Sequence, residues 1–380
     1  MHVYLDANAT TAMSPVARAA LTETLDSGPL NPSSAHSAGS RAREVLERAR
    51  LDVANSLGGS DPDNFYFTSG GTEGNNIVVR GFACIPGAAL FCSAVEHASV
   101  LRPILASGGS VLPVRTDGIL DIAEAERAVR SVSPSSPVLV CVQAANSETG
   151  IIQPVCDIAD HLKSVRDGVY LLVDSAQALG RIEVNTDAAD AITVSGHKLH
   201  APTGTGILFL SDRLRSILPS FAMGGGQEGG VRPGTQNVPG AWALAAAIKD
   251  RMGSIKEAAV LLARLRDRLE EGVLASVPGT YVVGKASPRV PNTANIFFPG
   301  QDAQSLMARL DSEGVMCSTG SACSSARPEA SPVLKAMGMS ERDASRCLRF
   351  SVSVMNTELE IDDAVRVISL VATKGMAGLT

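Results

Sequence analysis

The chain has 380 residues, 45% of them hydrophobic and only 4% aromatic, with 33 basic and 39 acidic residues giving a net charge of −6. That balance offers no basic face for nucleic acid, and no apolar run approaches the roughly 20 residues that cross a bilayer. Met1-His2-Val3-Tyr4-Leu5-Asp6 lacks the basic-then-apolar pattern of a secretory signal, so a cytoplasmic α/β protein of two domains is expected.

The seven cysteines, Cys84, Cys92, Cys141, Cys156, Cys317, Cys323 and Cys347, are odd in number and form no C-x-x-C. A disulfide framework or zinc site is not expected, and one or two reactive thiols are.

In chain order, Phe65-Tyr66-Phe67 reads as a buried strand entering the small-residue turn Thr68-Ser69-Gly70-Gly71-Thr72-Glu73 and then a helix. Backbone N–H groups and the helix dipole make Gly71 and Thr72 an anion site, although any strand-to-helix connection uses such a turn. No Gly-Lys-Ser/Thr follows, and no G-x-G-x-x-G follows a strand, so neither a P-loop nor a Rossmann site is indicated. Leu90-Phe91-Cys92 is the next strand. His97, just beyond it in Val95-Glu96-His97, is placed to stack on a flat cofactor and shuttle protons. A lone histidine is as readily a structural residue.

Val138–Val142 and Tyr170–Val173 also read as buried strands. The second ends in Asp174-Ser175-Ala176-Gln177. A carboxylate there needs a partner: a protonated pyridinium nitrogen, or the N–H groups of a helix that it caps. Gln177 is placed to reach the same site. Ala191–Val194 leads into Ser195-Gly196-His197-Lys198. Lys198 thus falls at the carboxyl edge of a sheet, where ligands bind, and a desolvated lysine forms a Schiff base with an aldehyde. Alone it reads as a surface lysine; Asp174, His97 and the Gly71 turn change that. Gly206–Leu210 completes the series. Short apolar strands separated by helices predict a mainly parallel sheet covered on both faces.

Met223–Gly230 reads as a long polar loop, and one helical run from Pro239 to Ala275 contains the domain boundary. Strands resume near Tyr281–Val283 and Ala294–Phe298. In Ser318-Thr319-Gly320-Ser321-Ala322-Cys323-Ser324-Ser325-Ala326 the cysteine stands among small polar residues, a mobile-loop setting in which a thiol can ionise and attack. The bland alternative is an incidental loop thiol. Cys317, after the apolar Gly314-Val315-Met316, reads as inert core. Arg349 in Arg346-Cys347-Leu348-Arg349-Phe350-Ser351 suits a two-point grip on a carboxylate, or a surface ion pair.

Together these stretches resemble the cysteine desulfurases, in the nitrogen-fixation and iron–sulfur branch. The resemblance runs from Tyr4-Leu5-Asp6-Ala7-Asn8-Ala9-Thr10-Thr11 through Asn31-Pro32-Ser33-Ser34 and Arg232-Pro233-Gly234-Thr235 to Arg349-Phe350-Ser351. It implies a fold-type I enzyme of pyridoxal 5'-phosphate (PLP). A large domain, 15–250, would hold a mainly parallel seven-stranded sheet flanked by helices. A smaller α+β domain, 1–14 with 251–380, would carry the cysteine loop. It further implies a homodimer. Gly71, Thr72, Ser195 and His197 would cup the phosphate, with Thr235 from the other subunit. His97 would stack on the ring, Asp174 pair with its nitrogen, and Gln177 and Asn146 contact ring oxygen or substrate. Lys198 would hold the aldehyde and then act as base, Arg349 would hold the carboxylate of L-cysteine, and Cys323 would take the sulfur as a persulfide, releasing L-alanine. A sulfur-acceptor protein, such as an iron–sulfur scaffold or a thiolation enzyme, would follow. Many relatives have two asparagines where this chain has Asn146-Ser147, so either residue of the pair is a candidate ligand. Gly229 stands where an arginine is common, and the chain ends at Thr380, where some relatives continue in a tail used for partner docking. A selenocysteine lyase or aminotransferase of the same fold is the alternative, from which Cys323 discriminates. Lys198, Asp174 and His97 together argue against a non-enzymatic scaffold.

Overall fold

The computed structural model of the chain describes residues 2–59, 61–320 and 330–377. Its centre is a seven-stranded sheet of β2 (Phe65–Thr68), β3 (Ala89–Ser93), β4 (Ser110–Leu112), β5 (Val138–Gln143), β6 (Val169–Asp174), β7 (Ala191–Ser195) and β8 (Gly206–Leu210), in the order β2-β8-β7-β6-β5-β3-β4. Only β8 runs against the rest. The reason is visible in β5. Val138, Val140 and Val142 enter one core, while Leu139 and Cys141 enter the other, on the opposite face. Every residue of the strand is buried, as the period-two alternation of a doubly covered parallel strand requires.

The first face is covered by the helices Pro15–Asp26, Ser37–Ser56 and Val238–Gly253, through residues such as Ala17, Leu46, Val53, Leu244 and Ile248. The second is covered by Gly71–Ala83 and Ala98–Ala106, through Ile77, Val78, Phe82, Val100 and Ile104. Each such side chain stabilises the fold by about 1.5–3 kcal/mol, so a charge at Val140 would break both the layer and the strand.

The expected helical run is two helices, Val238–Gly253 and Ile255–Ser276. The break falls at Gly253-Ser254: glycine costs about 1 kcal/mol in a helix interior, and Ser254 turns its hydroxyl back onto the Asp250 carbonyl at 3.0 Å. In the glycine-rich stretch, Gln227–Gly230 forms a tight turn in which Glu228 (φ 47) and Gly229 (φ 58) take left-handed backbone. Within it the buried Glu228 carboxylate takes both guanidinium ends of Arg50 (2.9 and 3.0 Å) and the Phe67 N–H (2.8 Å). That loop is therefore fixed to the end of β2.

A second, antiparallel sheet follows, with β9 (Tyr281–Val282), β10 (Thr293–Phe297) and β12 (Cys347–Ser351) in the order β12-β10-β9. Its core of Leu265, Leu269, Phe298, Leu306, Phe350, Ile361 and Ile368 is separate from those of the large sheet. The N-terminal β1 (Val3–Tyr4) pairs in parallel with β11 (Val315–Met316), and an isolated bridge links Asp6 with Ser351. From there the chain crosses to the large sheet before its first helix.

Candidate active site

Parallel strands end together, and here register aligns their polar ends along one edge: Gln143 opposite Asp174, Asp174 opposite Thr193, Ser195 opposite Gly206 and Gly206 opposite Thr68. The helix Gly71–Ala83 starts at that edge, and its N-cap Gly70 provides no side-chain cap. A methyl group on Gly71 would stand 3.8 Å from Ser195 Cβ and 3.9 Å from Ala176 Cβ. The helix start is thus set against the β6 and β7 ends, as an anion cradle requires. Gly206 permits this approach, since a Cβ there would come within 2.5 Å of Gly70 Cα.

Asp174 is buried and closes a short turn, its Oδ1 accepting from Ala176 N–H at 3.0 Å. No helix follows it, so the helix-cap reading is not realised. Its Oδ2 accepts from Asn75 Nδ2 at 2.9 Å. The same amide nitrogen donates to Ser99 Oγ (2.9 Å), and Thr193 Oγ1 donates to Asn75 Oδ1 (2.8 Å). Ser99 Oγ lies 2.7 Å from His97 Nδ1, which also accepts from Ser99 N–H at 3.2 Å. With Nδ1 an acceptor, the neutral ring carries its proton on Nε2. Burial holds the His97 pKa below its ordinary value; Asp174 opposes this, while Lys198 and Arg102 add to it. His97, Asp174 and Lys198 therefore share one electrostatic environment.

Before His97, Glu96 is wholly buried. Its Oε1 accepts from Ser93 Oγ (2.5 Å) and Gln143 N–H (2.8 Å), and Oε2 has no hydrogen-bond partner. Burial raises its pKa from 4.5 to about 8 against these two donors, with Asp174 adding. Through these two contacts the carboxyl braces β3 against β5.

Lys198 closes a 3-10 turn directly after β7 and is partly buried. Thr11 donates to the His197 carbonyl through N–H (2.9 Å) and Oγ1 (2.8 Å). His197 Nδ1 lies 3.1 Å from Thr10 Oγ1. His200, at φ 64, donates its N–H to Thr11 Oγ1 at 2.9 Å. The lysine turn is thus stitched to the N-terminal segment. Burial, then Lys198, lowers the His197 pKa.

That segment also reaches Arg349, which is 3% exposed on β12. Its Nη2 donates to Asp6 Oδ1 (2.5 Å) and Nη1 to the Ser147 carbonyl (3.1 Å), while buried Nε has no hydrogen-bond partner. Asn146 spends its carboxamide oxygen within its own turn. Its Oδ1 accepts from Glu148 N–H, Thr149 N–H and Thr149 Oγ1, and Nδ2 donates to the Val95 carbonyl (3.2 Å). Ser147 is the more open of the pair. Gln177 is buried between Asn8 O (3.0 Å) and Arg181 Nη1 (2.5 Å).

Thr235 is exposed, three residues beyond Arg232, whose Nε pairs with Glu73 at 3.2 Å. Cys323 lies outside the described residues. The residues described on either side of it, Gly320 and Ser331, both meet Glu148, whose Oε2 accepts from Ser331 Oγ (2.5 Å) and would lie 2.8 Å from a methyl group on Gly320. Burial pushes the Cys92, Cys317 and Cys347 thiols up to about 12. These are poor nucleophiles.

Asn75, Ser99 and Thr193 were not among the sequence candidates. Asn75 was accessible: with Gly71, Val78 and Phe82 it falls on the buried stripe of its helix, where a carboxamide must have partners.

The donor set fits PLP. A fixed carboxylate suits a ring nitrogen, an uncapped helix start suits a phosphate, a lysine follows the neighbouring strand, and an orphaned guanidinium N–H suits a carboxylate. The chain matches the class-V aminotransferase family over residues 3–363. A cysteine desulfurase of Nostoc sp. is 37% identical over 376 residues, spanning 96% of this chain and 91% of its own. Another, of Sinorhizobium fredii, is 35% identical over 384 residues, spanning 98% and 97%. Among solved structures, a NifS-like protein from Rickettsia africae superimposes with a TM-score of 0.89 at 31% identity, covering 98% of this chain and 99% of that one. DndA from Streptomyces lividans does so at 0.73 and 33%, covering 92% and 99%. With likeness of this extent laid over a strand edge of the right chemistry, the chain belongs to the class-V aminotransferase family and, within it, to the cysteine desulfurases.

Proposed function

We propose that the chain takes sulfur from L-cysteine with PLP held on Lys198, leaves it as a persulfide on Cys323, and releases L-alanine. The observation that carries this is the connected set Asp174–Asn75–Ser99–His97 in the electrostatic range of Lys198. When bound, PLP supplies an electron sink for the substrate carbon. Gly71, Thr72, Ser195 and His197 would hold its phosphate, Asp174 its ring nitrogen, and His97 its face. Lys198 removes the substrate Cα proton. Neutral His97 carries a proton at Nε2, available to the substrate carbon that gains the electron pair as C–S breaks. Arg349 fixes the substrate carboxylate through Nε and its remaining N–H groups. Cys323 thiolate attacks the substrate sulfur; the S–S bond forms as C–S breaks, and the electron pair and a proton return to carbon, giving alanine. Asn146 serves by holding the Val95 carbonyl of the His97 turn, and Ser147 is the residue of that pair open to ligand.

Thr235 and the exposed loop around it suit a homodimer in which each chain completes the other's phosphate site. A cytoplasmic acceptor, an iron–sulfur scaffold or thiolation enzyme, would take the sulfur. Among the described residues no helix is long and apolar enough to cross a membrane. We assign 15–250 to the PLP-binding domain and 1–14 with 251–380 to the smaller one. The test is a pair of variants. Lys198→Ala loses the visible absorbance of the holoenzyme, and Cys323→Ser keeps it but stops sulfide release. Sulfide release by Cys323→Ser would assign the acceptor role to another thiol, and a colourless wild type would remove PLP.

A further inference from the structure

Arg349 meets its ligand from an enclosed position, and its one anionic contact among the described residues is Asp6, at 2.5 Å. Asp6 is not a loose surface group. Its carbonyl accepts from Tyr4 Oη and Ala9 N–H, both at 3.0 Å, and its backbone bridges to Ser351. The carboxylate engages one guanidinium nitrogen, and a second nitrogen is tied to Ser147 O. Nε is left without a partner. A guanidinium has five N–H groups, so the contacts to Asp6 and Ser147 do not exhaust its donors.

L-cysteine and L-alanine carry the same α-carboxylate. A buried arginine with no counter-ion would hold both tightly, and binding shared by substrate and product does not speed the chemistry. We propose that Asp6 is the resident counter-ion that limits Arg349's grip on the α-carboxylate, fixing the guanidinium while keeping alanine free to leave. This rests on the reading of Arg349 as the carboxylate site.

The test replaces charge but not shape. Asp6→Asn keeps an oxygen acceptor for Nη2 and removes the negative charge; Asp6→Ser is a second, smaller charge deletion. Calorimetric titration of the holoenzyme with L-alanine is expected to show about three- to tenfold tighter binding in both, the size of a like-charge repulsion over about 6 Å at a partly solvated site. The KM for L-cysteine falls with it. Ethylamine, which lacks the carboxylate, binds unchanged, a contrast that a general loosening of the N-terminal segment would not produce. Unchanged or weaker alanine binding in a folded Asp6→Asn overturns the proposal, as does an equal shift for ethylamine. Arg349→Gln separates the two readings. If it leaves alanine affinity intact, Arg349 is not the carboxylate site. If it weakens alanine while Asp6→Asn fails to tighten it, only the role of Asp6 falls.

Discussion

Glu96→Gln isolates the cost of keeping a carboxyl inside the β3–β5 brace. The folded group has its pKa raised to about 8 from the ordinary 4.5, first by burial. In the unfolded chain it ionises near its ordinary value, so between these limits the unfolded state binds fewer protons than the folded one. Its contribution is complete below the unfolded pKa and is lost as pH rises towards about 8. One pH unit inside that window corresponds to about 1.4 kcal/mol. Glutamine keeps an oxygen for Ser93 and Gln143 and does not titrate. Urea unfolding of wild type and variant holoenzyme, at one protein concentration and four pH values from 5 to 9, should give a stability difference that moves in favour of the variant by about 1.4 kcal/mol per unit up to pH 8. It should then level off. Parallel curves across the range would refute the reasoning, because they would mean that Glu96 titrates alike in both states.

Asn75→Ala leaves Thr193 Oγ1 and Asp174 Oδ2 without their partners and should destabilise by about 2–4 kcal/mol. PLP affinity should weaken with it; equilibrium dialysis of PLP checks this, and full affinity would show that Asp174 is oriented by other means. Gly320→Ala places a methyl group 2.8 Å from Glu148 Oε2 at a φ of +88. A cost of about 1–3 kcal/mol is expected, with sulfide release falling more than the KM for L-cysteine rises, as steady-state kinetics will show.

How much of this was legible in sequence depended on how far each interaction reaches. Asp174, Ser195 and Lys198 could be read because each is a polar residue at the end of an apolar strand, a local pattern. The partners of Asn75 lie 24, 99 and 118 residues away, so only its place on a buried stripe announced it. The Asn146 carboxamide oxygen is engaged by hydrogen bonds inside one turn, which composition does not express. The split at Gly253-Ser254 was visible as a glycine but lost within a strong helical period. Arg349 could be found as a strand arginine, whereas its tie to Asp6 across 343 residues could not.

That last separation bears on how the molecule comes into being. The seven-stranded sheet lies within residues 65–210, so it can assemble while the rest of the chain is still being synthesised. The pairing of β1 with β11 and the bridge from Asp6 to Ser351 must wait for nearly the whole chain. Contacts this distant close slowly, because loop entropy is lost before they form. On the proposed assignment, a nascent chain acquires its cofactor cradle early and its carboxylate grip last, and the expectation is that it binds its amino-acid substrate fully only once β12 has docked.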